Sequence, residues 1–167
     1  PALIALGARC TIAGPGGSRE VAVESFVTAP GETVLTPGEF VVEFRVPSPP
    51  PRSRDAYLRF IPRGEMDIAV AGAGVSLTLD DRNRCTAARV ALGAVAPTPL
   101  LVREAGEALV GTTLDESALY RCAAAAMAAA NPIDDKRGTA TYRRRLAGVL
   151  TRRAVALAAR RIHEGGA

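Results

Sequence analysis

The chain has 167 residues, 48% of them apolar and 23% charged, with a formal net charge of +4. Such a composition excludes a disordered chain and suffices for one buried core or one and a half. There is no run approaching the roughly 20 apolar residues of a membrane span, and the first residues show no basic segment leading an apolar one as a secretory signal would.

Residues 2–12, ALIALGARCTI, read as an apolar strand passing into alternation. Gly14–Gly17 reads as a turn and Arg19–Val23 as a second alternating stretch, together a β-hairpin. Gly14-Pro15-Gly16-Gly17 lacks the lysine and Ser/Thr of a phosphate-cradling loop, so a hairpin turn is the expectation. Residues 24–40 read as loop, with turn signals at Pro30-Gly31 and Pro37-Gly38. Phe40–Val46 reads as a strand that ends in Pro47-Ser48-Pro49-Pro50-Pro51, a stiff extended connector. Tyr57–Ile61 is a short strand before a charged loop, Arg63–Glu65. Asp67–Leu79 and Thr86–Gly93 are two longer strands joined by a hairpin turn at Asp80–Asn83. Gly72-Ala73-Gly74 resembles the opening of a dinucleotide fingerprint, but it lies inside a strand rather than before a helix. Small residues there instead permit close packing against a helix.

After the loop Ala94–Pro99 the apolar period becomes helical. Leu101–Leu109 reads as a short helix closed by Gly111. Thr113 or Asp115 caps a helix through Ala130, with Leu114, Leu119, Cys122, Ala126 and Met127 on its apolar side, and Asn131-Pro132 stops it. Thr139–His163 is the longest helix, with a stripe of Leu146, Val149, Leu150, Leu157 and Ile162. Strands followed by helices predict the α+β class: a small antiparallel sheet packed on a three-helix bundle, preceded by a β-hairpin.

The chemistry-bearing residues are sparse. Cys10, Cys85 and Cys122 form no CxxC and read as buried thiols in a reducing compartment; alone they build no zinc or iron–sulfur site. His163 is the single histidine and sits at the end of the last helix, badly placed for general-base work. Asp80-Asp81 and Asp134-Asp135 read as turn formers, and Asp67 either caps its loop or contacts Arg63. Lys136 is the one lysine; arginine supplies the positive charge. In the last helix Arg143, Arg144, Arg145, Arg152, Arg153, Arg160 and Arg161 form three clusters. Neighbours on a helix point about 100° apart, so Arg143–Arg145 spread over several faces, and with only Tyr142 nearby the pattern disfavours nucleic acid.

Five segments carry a resemblance. PALIALGA (Pro1–Ala8), LTPGEFVVEFRVP (Leu35–Pro47), AYLRFIPRGEMDIAVAGAGVSL (Ala56–Leu77), VALGAVAPTPLLVREAGEALVG (Val90–Gly111) and YRRRLAGVLTRRAV (Tyr142–Val155) occur in this order over nearly the whole chain. Together they resemble the C-terminal part of the FAD-binding medium subunit of molybdenum hydroxylases, the xanthine dehydrogenase and carbon monoxide dehydrogenase flavoprotein family. The resemblance implies two units: residues 1–46 as a C-terminal remnant of the FAD-binding domain, PALIALGA being its closing strand, and residues 47–167 as a CO dehydrogenase flavoprotein C-terminal-like domain. It implies FAD, held mostly by an N-terminal half outside this chain, and no metal in the chain itself. Implied partners are that N-terminal half, an iron–sulfur small subunit and a molybdopterin large subunit, in the cytoplasm. Electrons would pass from molybdenum through two iron–sulfur clusters to the flavin and on to an acceptor.

Three residues match family positions beside the flavin. Tyr57 is expected to stack on the isoalloxazine ring or else to be a half-buried strand tyrosine. Arg59 is expected to place a cation near the flavin or else to be an exposed strand arginine. Val41 is expected to pack on the ring or else within the core. The resemblance further implies a fragment with no turnover of its own, whose first forty residues lack their pairing strands and expose an apolar edge prone to disorder or self-association. The alternative is an autonomous subunit-assembly domain of the same fold without flavin.

Overall fold

The structure, a computed structural model, describes residues 1–64 and 67–165. It opens with a helical turn, α1 (Ala2–Ala5), where the sequence reading placed a strand. The run ALIAL has no alternation of its own to choose between the two, and packing decides: Ile4 and Ala5 bury against Ala91. Gly7, at φ +68°, then turns the chain into β1 (Arg9–Gly14), a backbone state few other residues adopt. The expected hairpin forms between β1 and β2 (Gly17–Ala22), with Gly14 opposite Gly17. A 3-10 turn at Val23–Ser25 follows. The segment expected to be loop holds a small hairpin of β3 (Val27–Ala29) and β4 (Glu32–Thr33).

β5 (Phe40–Arg45) returns to pair antiparallel with β1 across a β-bulge, giving the sheet order β2-β1-β5. The expectation of unpaired strands in the first forty residues is therefore corrected: β1 is bonded on both sides within the chain. One face of this sheet carries an ion-pair ladder of Arg9, Glu20, Glu43 and Arg45; on the other, Cys10 and Ile12 are fully buried. β5 is the edge strand, and Phe40 and Phe44 stay 61% and 52% exposed on it. The loop into β5 is fixed by Arg19, which grips Glu39 through two nitrogens at 2.8 Å while the Thr36 N–H donates to the same carboxylate at 2.7 Å. These bonds hold the Glu39 carboxyl down to about 2.

The second sheet has the order β6-β7-β8-β9, all antiparallel: β6 (Ser53–Phe60), β7 (Ala71–Leu79), β8 (Cys85–Gly93) and β9 (Leu100–Leu101). β6 begins four residues earlier than expected because Ser53 already bonds Thr78 through their hydroxyls at 2.7 Å. β7 begins later than expected because Asp67 ties down the segment before it. The charged loop expected over Arg63–Glu65 ends at Glu65, which lies outside the described residues. Asn83, at φ +60°, closes the β7–β8 turn, and the Asp80 carboxylate accepts from the Arg82 and Arg84 N–H groups.

Three helices follow: α2 (Arg103–Glu107), α3 (Glu116–Ala129) and α4 (Ala140–Glu164). α2 is shorter than expected, because Leu100 and Leu101 are drawn into the sheet as β9. Asp115, one of the two expected caps, accepts from the Ala118 N–H at 2.9 Å, and Thr139 caps α4. Ala71, Ala73, Val75, Leu77 and Leu79 of β7 form the core with Cys122 and Ala126 of α3 and Ala147, Ala154, Val155, Ala158 and Ile162 of α4. The buried stripe of α4 thus runs through alanines, and Val149, expected inside, is 44% exposed. The helices approach closely: a Cβ on Gly148 would lie 2.8 Å from Met127 Cγ. The class is α+β, as expected.

Two outcomes test this packing. A Cβ at Gly106 of α2 would lie 2.6 Å from the Ala88 carbonyl oxygen of β8, whereas nothing stands near Gly16. Gly106→Ala should lower the unfolding free energy by about 1–3 kcal/mol in a urea titration, and Gly16→Ala should leave it nearly unchanged. Glu39 is held below its ordinary 4.5, so its contribution is complete above about pH 4.5 and is lost as pH falls toward about 2. Glu39→Gln should flatten stability against pH in that window.

Candidate functional site

The pleat that sends Ala56 into the core sends Tyr57 and Arg59 to the opposite face of β6. Their register partners on β7 are Gly74 and Gly72. A Cβ on Gly72 would lie 2.8 Å from the Tyr57 hydroxyl and 3.4 Å from its ring, so the tyrosine lies across a floor that only glycine leaves open. A Cβ on Gly74 would meet the Pro1 carbonyl oxygen at 3.1 Å and Ala5 at 3.3 Å, and one on Gly93 would meet the Pro1 ring at 2.5 Å. Close approach of a helix to Gly72–Gly74 is thus what the small residues serve, with α1 as the helix at Gly74. Tyr57 remains 40% exposed, and Arg59 is exposed beside it. Val41 is partly buried on β5, paired with Ile12 in the other sheet. The fold brings Tyr57 and Arg59 together on one strand face and keeps Val41 on a separate sheet.

The corner leading into β7 is pinned from three sides. The Asp67 carboxylate accepts from the Ile68 N–H at 2.8 Å and from Arg63 and Arg137 at 3.3 Å each. The Ile68 N–H bond first, and then the two arginines, hold its carboxyl below the usual range. Beyond this corner Phe60 meets Tyr142 edge-to-face at 6.3 Å. The Arg63 contact was expected; Arg137 lies seventy positions away, and no local pattern points to it.

Arg143 is the other residue that the sequence reading missed. It is buried, donates to the carbonyls of Val70 at 3.3 Å and Ala94 at 3.2 Å, and pairs with Asp135. Arg143 in turn is the main cause holding the Asp135 carboxyl low. An arginine on a strongly basic helix carries no signal that it faces inward; the one hint is its place a turn after the Thr139 cap. Asp134 and Asp135 otherwise serve their turn as expected, Asp134 accepting from Ala140 N–H and Asp135 from Arg137 N–H.

A cleft of about 320 Å³ runs between the Pro47–Pro50 segment and the same sheet face, lined by Leu6, Ser53, Ser76, Thr78 and Arg89. Arg89 is already engaged: it donates to the Ile4 carbonyl at 3.0 and 3.2 Å and to Glu24, which also holds Arg103 at 3.1 Å. This clamp fixes α1 on β8. Burial pushes the Cys85 thiol up to about 11 and Cys122 to about 12, so both are poor nucleophiles. Among the described residues no three His, Cys, Asp or Glu side chains gather as a metal site, and no helix is long and apolar enough to cross a membrane.

Known proteins share this geometry. The family described as the CO dehydrogenase flavoprotein C-terminal domain matches residues 56–158, more than half of the chain. The chain belongs to this flavoprotein family. Residues 1–49 match a second family, the FAD binding domain in molybdopterin dehydrogenase. The flavoprotein domain is 42% identical to the carbon monoxide dehydrogenase medium chain of Afipia carboxidovorans over 93% of this chain and 54% of that protein. It is 30% identical to the 6-hydroxypseudooxynicotine dehydrogenase complex subunit alpha of Paenarthrobacter nicotinovorans over 95% of this chain and 53% of that protein. Among solved structures it superposes on a chain of reconstituted CO dehydrogenase from Oligotropha carboxidovorans with a TM-score of 0.91 and 40% identity, covering 96% of this chain and 55% of the other. Quinoline 2-oxidoreductase from Pseudomonas putida 86 gives a TM-score of 0.84 at 32% identity, over 95% and 54%. The chain therefore spans about half the length of the relatives it matches.

The Arg143 anchor yields a direct test. Arg143→Ala would strand the buried Val70 carbonyl and take a donor from the Ala94 carbonyl and the Asp135 carboxylate, and should cost about 3 kcal/mol in a denaturant titration. Arg145→Ala, two residues on and exposed, should cost less than about 0.5 kcal/mol.

Proposed function

We propose that this chain forms part of an FAD-carrying medium subunit of a molybdenum hydroxylase complex, and that the Tyr57–Arg59 face of β6 is its wall toward the flavin. The observation that carries the reading is the Tyr57 ring, backed on one side by the Gly72 floor and partly open on the other, with Arg59 beside it on a rigid strand. A flat aromatic face next to a cation suits a planar ring system that gains negative charge on reduction. The fit is partial. The Gly14–Gly17 segment is a plain hairpin turn with open space around Gly16 and Gly17, so no pyrophosphate cradle is built there. Contacts to the phosphates and adenine fall to an N-terminal half of the same subunit.

When bound, FAD supplies the capacity to take up electrons and pass them on. Tyr57 would hold the plane of the ring and exclude water from one side. Arg59 would favour the more negatively charged form of the cofactor and so raise its potential. Val41 would add an aliphatic contact from the first sheet. The reading divides the chain into residues 1–46, belonging to the FAD-binding unit, and residues 47–167. In support, the proline run Pro47–Pro51 carries no strand or helix between the two sheets. The partners are the subunit's N-terminal half, an iron–sulfur small subunit and a molybdopterin large subunit. Three free, buried thiols suit the reducing cytoplasm.

The test uses the full-length subunit. Tyr57→Ala should weaken FAD binding about three- to tenfold in a calorimetric titration. Arg59→Gln should shift the midpoint potential negative by on the order of 20 mV. Unchanged affinity and potential in both variants would remove these residues from the flavin site.

A further inference from the structure

The seven arginines of α4 divide sharply. Arg143 is buried, Arg144 donates to the Ala130 carbonyl at 3.2 Å and Arg161 to the Asp55 carbonyl at 2.6 Å. Arg145, Arg152, Arg153 and Arg160 are exposed, and three- and four-residue steps set them around Val149 and Ala156 on one outer side of the helix. The local clusters spread as expected, but across the whole helix four arginines share a face. Between this face and α3 runs a groove of about 330 Å³ lined by Glu116, Leu119, Val149, Arg152, Arg153 and Ala156. Its floor is aliphatic and its rim is basic. Arg152 reaches across it to Glu116 at 2.8 Å, and Arg160 pairs with Glu164, so Arg153 on the rim and Arg145 further along the same helix side are the cations without a carboxylate partner among the described residues.

We propose that this groove docks an acidic protein surface that inserts an aliphatic side chain between α3 and α4. Three observations select that occupant. The aliphatic floor with a half-exposed Val149 calls for an apolar knob, and the unpaired arginines call for carboxylates around it. A second copy of the chain would bring arginines against arginines across a two-fold axis. Nucleic acid would gain nothing from Leu119, Val149 and Ala156, which offer no flat stacking platform. The face also lies on the far side of the second sheet from Tyr57 and Arg59, so a partner can sit there whether or not FAD is held.

The experiment uses the full-length subunit and a fluorescein-labelled synthetic helix rich in glutamate with leucines along one side. Anisotropy titrations at low and high salt compare it with the same helix carrying serine for leucine, and with a short DNA duplex. Val149→Asp and Arg153→Glu, both at exposed positions, are checked for native circular dichroism and unchanged FAD content. The proposal expects each variant, and the loss of the leucines, to weaken binding about tenfold, and expects high salt to weaken it further. Equal binding by the variants, equal binding of the serine helix, tighter binding of the duplex, or a self-dimer that Val149→Asp dissolves would each overturn it. FAD content reports separately on the flavin reading.

Discussion

The fold depends on β7 being small-sided on both faces. Toward the helices it presents Ala71 and Ala73 before Val75 and Leu77, and the helix above answers with Ala147, Ala154 and Ala158. Toward the other side it presents Gly72 and Gly74, which admit the Tyr57 ring and α1 at distances where an added Cβ would crowd the Tyr57 hydroxyl at 2.8 Å and the Pro1 carbonyl at 3.1 Å. A strand buried on both faces loses its solvent side, so its side chains are selected for approach distance rather than for polarity. Enlarging either face would push α4 or α1 away, and with α1 would go the clamp of Arg89 and Glu24 that orients the first sheet.

Arginine is the second organising device. Arg52, Arg84, Arg89, Arg143, Arg144 and Arg161 all donate to backbone carbonyls of other segments. A planar, multidonor cation on a long stem can satisfy carbonyls at strand and helix ends that no regular ladder reaches. Part of the positive charge is therefore internal scaffolding. This weakens any argument from net charge to an anionic partner, and confines such an argument to the few arginines left facing solvent.

Much of this was legible in the sequence, and the failures have physical causes. The β7–β8 hairpin, the Asp115 and Thr139 caps and the long last helix follow from alternation, turn residues and capping chemistry. Of the strand expected over residues 2–12, the first part is a helical turn because ALIAL carries no period and burial against Ala91 decides it, while Arg9 onward is β1. β9 takes in Leu101, where the expected helix begins, because two leucines cannot announce a strand pairing. Aliphatic character alone points Val149 into the core because it ignores how closely α4 approaches its neighbours; the alanines fill that place. At the candidate site, Tyr57 and Arg59 on one face follow from strand period alone. The glycine floor and the roles of Arg137 and Arg143 depend on contacts between segments far apart in the chain.

The measurement that bears most directly on the central claim is an experimental structure of the full-length subunit with FAD bound. The account predicts the isoalloxazine ring within van der Waals contact of the Tyr57 ring, at about 3.5–4 Å, with Arg59 alongside. A flavin enclosed wholly by the N-terminal half, with Tyr57 and Arg59 left facing solvent, would contradict it.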